Sequence, residues 1–219
     1  LGDVYKRQLH PRCVTIPEIL RSGGYSTLMS GKWHLGWPRQ KSSPTDRGFD
    51  SFYGIIDGAS SFFAPASLMR DKTPIKVSDL PREYYITDAI SDNAVRYIEK
   101  ADRKKPLLLY VAYTAAHWPL HATPEDIAHY KGRYAKGWDR LRKERYERMK
   151  KLGIISASTP LSPRHPNVPP WEEAQDKNWQ QRRMEVYAAQ ITSMDAGIGR
   201  IVKAIERRGN FDNTLILYM

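Results

Sequence analysis

The amino-acid sequence predicts an α/β fold in which an open, mainly parallel sheet is flanked by helices. Segments with apolar residues at helical spacing alternate along the chain with short apolar runs. The run at residues 107–112, Leu-Leu-Leu-Tyr-Val-Ala, lacks the alternation of a strand that faces water on one side. Helices that alternate with strands buried on both faces are typical of parallel sheets.

The first helix and strand are predicted from a capping box. Thr15 stands at the N-cap position, Glu18 follows three residues later, and Pro17 is compatible with the first helical turn. The glycine pair at 23–24 should end the helix. Residues 25–29 are then the first predicted strand.

A second helix and strand are predicted after a long irregular stretch. Residues 37–81 are polar, bear Pro and Gly and lack sustained periodicity, so we predict surface loops and turns there. Thr87 and Asp88 should cap the helix. Its apolar residues fall at helical spacing and are Ile90, Ala94, Tyr97 and Ile98. A strand covered on both faces is expected at 106–113.

Two more helices and a final strand are predicted in the second half. One helix has an apolar stripe, interrupted by Arg145, that consists of Trp138, Leu141, Met149 and Leu152. The Pro- and Ser-rich residues 156–170 should form a loop. The last helix should end at Gly209, and its stripe consists of Tyr187, Ile191, Met194, Ile198, Ile201, Val202 and Ile205. The apolar run 215–219 is predicted to be a third buried strand.

The composition indicates a globular protein. The chain has 219 residues, of which 41% are hydrophobic and 11% aromatic, enough to bury a sizeable core. No apolar run approaches the roughly 20 residues that cross a bilayer, so no membrane span is predicted. The single cysteine, Cys13, excludes an internal disulfide framework and a multi-cysteine metal cage.

The net charge of +11 is concentrated in one segment. Residues 131–151 contain ten Lys or Arg against three acidic residues. Because the positive charge lies on one face and is not spread over the whole protein, we predict no nucleic-acid partner. Such a face is usually only solvated, although it could attract a sulfated polymer by long-range steering.

Two histidine-bearing loops follow the first two predicted strands. The first is residues 31–36, Gly-Lys-Trp-His-Leu-Gly, and the second is residues 114–121, Thr-Ala-Ala-His-Trp-Pro-Leu-His. Ligands of open α/β sheets bind beyond the carboxyl ends of the strands, so both loops should meet at one rim. There, Lys32 and two or three imidazoles would suit an anionic group, as a point charge and as donors or general acids.

Plainer roles stay open for the same residues. Taken singly, a lysine is usually solvated and a histidine is usually a hydrogen-bonded structural residue. His117 and His121 have the i, i+4 spacing of a helical zinc pair, but Pro119 between them argues against a helix and therefore against zinc.

Several acidic and basic residues are predicted to be structural. Asp46, Arg47 and Asp50 could bind a sulfated substrate, but a salt-bridged turn is the favoured interpretation. Asp195 lies one residue beyond the core stripe of the last helix, which favours a structural hydrogen bond over a role as base.

Four motifs resemble those of the sulfatase family and occur in the same order. Residues 31–36 resemble the second sulfatase signature, and residues 46–54, Asp-Arg-Gly-Phe-Asp-Ser-Phe-Tyr-Gly, resemble the turn that follows it. Residues 115–121 and residues 193–199, Ser-Met-Asp-Ala-Gly-Ile-Gly, match as well. Four ordered motifs spanning residues 15–219 are far more specific than any one of them.

The resemblance implies an alkaline-phosphatase-like α/β fold and hydrolysis of sulfate esters through a formylglycine made from a cysteine or serine. It implies that Lys32 binds the sulfate and the formylglycine. His34 would hold or deprotonate the formylglycine hydrate, and His117 would contact the ester oxygen as proton donor. Trp118 and His121 are candidate substrate-binding residues, although packing is an equally good use of Trp118.

The sequence departs from the family at the nucleophile and at the metal. The motif Cys-x-Pro-Ser-Arg is absent, and Cys13 is followed by Val-Thr-Ile, so Cys13 is not expected to be the nucleophile. The resemblance implies Ca²⁺ ligands from acidic residues upstream and from an Asp-Asn pair beyond residue 219. No metal ligand is therefore assigned within this chain.

We expect the chain to be an internal piece of a sulfatase catalytic domain, incomplete at both ends and inactive by itself. Residues 1–8, Leu-Gly-Asp-Val-Tyr-Lys-Arg-Gln, look like a translated transposon end from sequencing-library preparation. Residues 9–219 are then the sulfatase part, and the nucleophile is expected upstream of Leu9. The residues do not reveal the compartment, and the resemblance is compatible with a periplasmic or secreted protein.

Two alternative functions stay open. Lys and His around an anion do not distinguish sulfur from phosphorus, so a phosphate or phosphonate ester hydrolase of the same superfamily is the runner-up. The third candidate is a non-catalytic polyanion-binding protein that uses the basic face. Binding alone, however, does not require Lys32, His34 and His117 to converge.

Overall fold

The computed structural model describes residues 9–10, 12–38 and 41–219 and divides them into two compact units. The first unit contains the described residues up to His121 together with Gln190–Met219, and the second is Ala122–Ala189. The artefact interpretation of residues 1–8 lies outside the described residues. No described helix is both long enough and apolar enough to cross a membrane.

The first unit contains a five-stranded sheet in the order β4-β3-β2-β1-β5. Strand β1 (Ser26–Gly31) lies between β2 (Ser51–Ile55) and β5 (Leu107–Ala112) and is parallel to both. The short strands β3 (Leu68–Arg70) and β4 (Thr73–Pro74) add an antiparallel edge. The predicted open, mainly parallel sheet is confirmed.

The predicted capping box is also confirmed, at the start of α1 (Ile16–Ser22). The Thr15 hydroxyl accepts a hydrogen bond from the backbone N–H of Glu18 at 3.3 Å. In return, the Glu18 carboxylate accepts one from the backbone N–H of Thr15 at 2.7 Å. The chain then turns at Gly23 and enters β1, as the sequence predicts.

The prediction that residues 37–81 form only surface loops is wrong. The segment contains β2, β3 and β4 and two 3₁₀ turns, Pro44–Arg47 and Val77–Asp79. Phe52 and Ile55 in β2 are fully buried because β2 pairs with β1 inside the sheet. A five-residue strand is too short to show a clear period, so tertiary pairing decided its structure.

Helix α2 (Ile86–Lys100) confirms the second predicted helix but not its cap. Tyr85 occupies the N-cap position, but its side chain makes no capping hydrogen bond, and Thr87 is buried inside the first turn. The predicted apolar residues are all buried, namely Ile90, Ala94, Tyr97 and Ile98. Packing of this face, rather than a polar cap, fixes the helix.

Helices cover one face of the sheet. Apolar side chains of β1, β2, β3 and β5 pack on that face against α2 and against α5 (Lys177–Arg208). On the opposite face, Met29, Phe52 and Met69 pack against Trp33, Phe49 and other residues of the loops. The core therefore lies on both sides of β1 and β2.

The expectation that β5 is covered on both faces is wrong. Strand β5 is an edge strand of the described sheet, and its residues are only half-buried, with Tyr110 45% exposed. The predicted strand at 215–219 does not form either, and Leu215 is 83% exposed. A strand needs a hydrogen-bonding neighbour, and no described strand pairs with these residues.

Helix α5 confirms the last predicted helix, although only part of its stripe is buried. Met194 and Ile201 are buried, whereas Tyr187 is 51% exposed. Gln190 and Ser193 are buried on this helix instead. Asp195, for which a structural hydrogen bond was expected, is exposed.

Gly197 allows α5 to lie directly against α2 and the end of β5. The Ser91 and Tyr113 hydroxyls share a hydrogen bond of 2.7 Å. A Cβ built on Gly197 would lie 2.1 Å from Ser91 Oγ and 2.8 Å from the Tyr113 hydroxyl. The close packing of the two helices therefore requires a residue without a side chain at position 197.

The second unit contains α3 (Pro124–Ala128), which the sequence analysis missed, and α4 (Gly137–Lys151), which it predicted. Trp138 packs edge-on against Trp171, with ring centroids 4.7 Å apart. Asp139 accepts the Trp171 backbone N–H at 2.7 Å and pairs with Arg164 at 3.1 Å. The predicted loop at 156–170 is confirmed, and these contacts hold its end against α4.

The turn at residues 46–50 is salt-bridged, as predicted. Arg47 is buried, and its Nε donates to Glu18 at 2.9 Å. Asp46 pairs with Lys72, and Asp50 pairs with Arg21 at 3.2 Å. These residues join α1 to the turn that precedes β2.

We expect Gly197→Ala to destabilise the chain and Gly199→Ala, on the same helix, not to do so. The first change forces α5 away from Ser91, at a cost of about 1–3 kcal/mol. The Cβ of the second would enter open space, and alanine should raise stability by up to about 1 kcal/mol. Denaturant unfolding followed by circular dichroism measures both changes. Equal effects would contradict the packing role of Gly197.

We expect Glu18→Gln to lower the free energy of unfolding at pH 7 by about 1–3 kcal/mol, because buried Arg47 loses its charged partner. The hydrogen bond from Arg47 holds the pKa of Glu18 below its usual value. Folding therefore favours the ionised form, and the stabilisation is complete above the unfolded pKa of about 4.3. It is lost as the pH falls through the lower pKa of the folded state.

Unfolding curves of the parent and of Glu18→Gln between pH 7 and pH 3 should therefore converge on acidification. Arg21→Gln is the matched control, since its exposed pair with Asp50 should contribute at most about 1 kcal/mol. A gap that stays constant with pH would show that ionisation of Glu18 is not its cause.

Candidate functional site

The loop after β1 donates backbone hydrogen bonds to the carboxyl ends of both neighbouring strands. The N–H of Lys32 donates to the carbonyl of Ala112, at the end of β5, at 2.7 Å. The N–H of His34 then donates to the carbonyl of Ile56, just after β2, at 3.0 Å. The loops after β1, β2 and β5 therefore meet at the carboxyl edge of the sheet, and the prediction that the first and last of these share a rim is confirmed.

Lys32 places an ammonium group at this rim. Its side chain is half-buried, and burial lowers the pKa of Lys32. None of the described carboxylates pairs with it. A cation that has lost part of its water without gaining a counter-ion attracts an anion strongly, so Lys32 suits an anionic ligand.

His34 is fixed in position by the backbone and by Gly58. Its φ of 59° lies in the left-handed region. A Cβ on Gly58 would lie 2.3 Å from His34 Cε1, so the imidazole lies flat against the glycine of the loop after β2. The Nε2 atom is buried. The ring is thus held in one orientation by packing against the loop that follows β2.

His117 stands on the loop after β5 and is exposed. Its backbone N–H donates to Thr114 at 2.8 Å, and its Nδ1 lies 2.6 Å from the carbonyl of Trp118. Because a carbonyl only accepts, Nδ1 carries the proton in this contact. The Nε2 atom is then the nitrogen that can exchange a proton with a ligand. Trp118 itself is 72% exposed.

His121 is held among aromatic rings. Its Nδ1 accepts the backbone N–H of Phe62 at 3.3 Å, and its carbonyl accepts the Tyr85 hydroxyl at 3.0 Å. Its ring stacks on Phe63 at 5.7 Å. These contacts anchor the His117 loop, and the predicted substrate-binding role of His121 stays a prediction.

Sequence reasoning missed the loop after β2. Gly58, Phe62 and Phe63 lie in the segment predicted to be surface loops, yet they contact His34 and His121. The adjacent pair Phe62-Phe63 in a polar stretch was the available signal. Phe63 keeps 42% of its surface exposed beside the histidine loop.

The described residues do not form a metal site. No three His, Cys, Asp or Glu side chains among residues 9–10, 12–38 and 41–219 come together as ligands. Cys13, the one cysteine of the chain, is exposed. Its backbone carbonyl accepts a hydrogen bond from Arg47, which ties it to the salt-bridged turn.

The chain belongs to the sulfatase family, whose family model matches residues 3–219. It is 32% identical to an arylsulfatase of Klebsiella aerogenes, over 98% of this chain and 48% of that protein. It is 25% identical to an N-acetylglucosamine-6-O-sulfatase of Bacteroides thetaiotaomicron, over 93% of this chain and 43% of that protein. The match includes residues 3–8, so their interpretation as an artefact stays a prediction.

The fold agrees with solved sulfatase structures. The crystal structure of Ps i-CgsB superposes with a TM-score of 0.64 and 25% identity, over 95% of this chain and 40% of that one. The chain thus spans less than half the length of these relatives. The predicted alkaline-phosphatase-like fold is confirmed.

We expect Gly58→Ala to disturb His34 while leaving the fold intact. The added methyl group would overlap the imidazole, and the ring must leave its position. Turnover of an aryl sulfate by the full-length protein should fall about 10-fold or more, since small misplacements of catalytic groups are costly. Gly199→Ala is the matched control, because its Cβ meets open space and this glycine, like Gly58, does not have a positive φ. Unchanged turnover by Gly58→Ala would contradict a catalytic role of His34.

Proposed function

We propose that the full-length protein hydrolyses sulfate esters and that this chain supplies its sulfate-binding and proton-transfer groups. One observation carries the proposal: a half-buried ammonium without a described counter-ion, Lys32, stands where the loops that carry His34 and His117 meet. Membership of the sulfatase family supports sulfate as the anion.

Each of the three residues has a separate role. Lys32 binds a sulfate oxygen and offsets the negative charge that grows in the transition state. His34, with its ring fixed against Gly58, holds the attacking group and accepts its proton. His117 donates a proton from Nε2 to the departing ester oxygen, while the Trp118 carbonyl keeps Nδ1 protonated.

The nucleophile and the metal come from outside this chain in our proposal. A formylglycine encoded upstream would supply the attacking hydroxyl group, since Cys13 lacks the motif that follows such a residue. The described residues do not fit a Ca²⁺ site. Without the nucleophile, the 219-residue chain should be inactive by itself.

We further propose that the substrate is a sulfated carbohydrate. The chain resembles a protein named as an N-acetylglucosamine-6-O-sulfatase as well as an arylsulfatase. Trp118 supports this choice, because an exposed indole beside the site can pack against the apolar face of a sugar ring. His121 would touch the substrate from the same loop.

A phosphate or phosphonate ester hydrolase is the alternative, because the same groups would bind either anion. The identity of the upstream nucleophile and a comparison of aryl sulfate with aryl phosphate turnover separate the two. Hydrolysis of the aryl phosphate that is faster than hydrolysis of the aryl sulfate would contradict the sulfatase proposal and favour this alternative.

In the full-length protein, Lys32→Ala, His34→Ala and His117→Ala should each lower kcat by about 10²–10³. His117→Ala should lower kcat more for alkyl sulfates than for activated aryl sulfates, because activated leaving groups need little protonation. Steady-state kinetics across a leaving-group series, with thermal melts of each variant, make the measurement. Lys100→Ala and His129→Ala are matched controls, since both side chains are exposed and neither residue belongs to the loops after β1, β2 and β5.

Two outcomes would revise the assignment. If His117→Ala slows every ester equally, His117 is not the proton donor. If a variant melts much earlier than the parent, the residue is structural.

A further inference from the structure

A cleft of about 200 Å³ lies within the second unit, between α4 and the loop that follows it. Two arginines of the helix line it, and Met149 and Leu161 form part of its apolar wall. Most sites that enclose a drug-sized ligand measure roughly 300–1,000 Å³. The cleft can therefore hold one charged group and the apolar surface next to it, rather than a whole oligomer.

Arg142 and Tyr146 build the wall of the cleft. Arg142 donates to the carbonyl of Ser162 and, at 2.8 Å, to its hydroxyl. The Tyr146 hydroxyl donates to the carbonyl of Thr159 at 2.6 Å. The Nη2 atom of Arg142 and the hydroxyl of Tyr146 thus hold the loop beside the helix.

Arg145 lines the same cleft but makes none of these contacts. It interrupts the apolar stripe of α4, which puts a guanidinium beside Met149 and Leu161. Its side chain is exposed, and no described residue accepts a hydrogen bond from it. Its planar donor fork therefore remains available to two oxygens of one anion.

The acidic residues of α4 do not neutralise Arg145. Asp139 pairs with Arg164 at 3.1 Å, and Glu144 pairs with Arg140 at 2.9 Å. Glu147 is two residues from Arg145 along the helix, and residues at that spacing do not face each other. The surrounding basic segment raises the local concentration of anions without holding them in place.

We propose that this cleft is a second, non-catalytic binding site for one sulfated unit of an anionic polysaccharide. Arg145 binds the sulfate, and the apolar face of the sugar ring packs against Met149 and Leu161. The choice of a sulfated ligand rests on the proposed function, whereas the cleft and its unused guanidinium do not. Such a site would keep a polymeric substrate bound to the enzyme between cleavage events.

The test is binding of a fluorescent heparin-derived hexasaccharide to the full-length protein at 150 mM salt, followed by anisotropy. Arg145→Ala should weaken binding about 10-fold or more, as expected for the loss of a charge-assisted bidentate contact. Arg148→Ala, which removes an equal charge from an exposed position outside the cleft, should weaken it less than about 2-fold. Arg145→Lys should fall between them, because it keeps the charge and loses the fork.

Two results would overturn the proposal: equal losses in Arg145→Ala and Arg148→Ala, which mean diffuse attraction, or no binding by the parent. The desulfated hexasaccharide should bind the parent no better than it binds Arg145→Ala. Turnover of a small aryl sulfate should be the same in Arg145→Ala and the parent. Absence of turnover together with binding that depends on Arg145 would remove the proposed function and leave the cleft as an anion site.

Discussion

The site depends on a change of backbone hydrogen-bond partner after β1, from β5 at Lys32 to β2 at Trp33 and His34. Lys32 donates a backbone hydrogen bond to the end of β5, Trp33 donates one to the last residue of β2, and His34 donates one to the residue that follows it. These bonds are possible only because β1 lies between two parallel neighbours whose carboxyl ends lie at the same edge of the sheet. The pairing of the strands thus positions side chains that are distant in sequence next to one another.

Packing behind the rim fixes the histidine loop. The Ser91–Tyr113 hydrogen bond and the close approach at Gly197 hold the end of β5 against α2 and α5. Further along the loop, His121 is held by Phe62 and Tyr85. His117 stands between these anchors and is itself exposed. The arrangement combines an accessible imidazole with a loop whose two ends cannot easily move.

The second unit uses its charges in two ways. Some are structural, such as Asp139, which joins Trp171 and Arg164 to the start of α4. Others face solvent without a partner, and Arg145 is the one that also lines a cleft. A count of basic residues cannot separate these uses, because the count is the same whether a guanidinium holds a loop or is left to bind a ligand.

The sequence by itself determined the features that depend on neighbours along the chain. These are the α1 capping box, the apolar faces of α2 and part of α5, and the two loops that carry Lys32, His34 and His117. Tertiary structure decided what depends on distant partners. The strand β2 exists because β1 pairs with it, and residues 215–219 stay irregular because no described strand does so. Likewise, only packing reveals Gly58 beneath His34, since hydrogen-bond partners and close approaches are set by residues far apart in sequence.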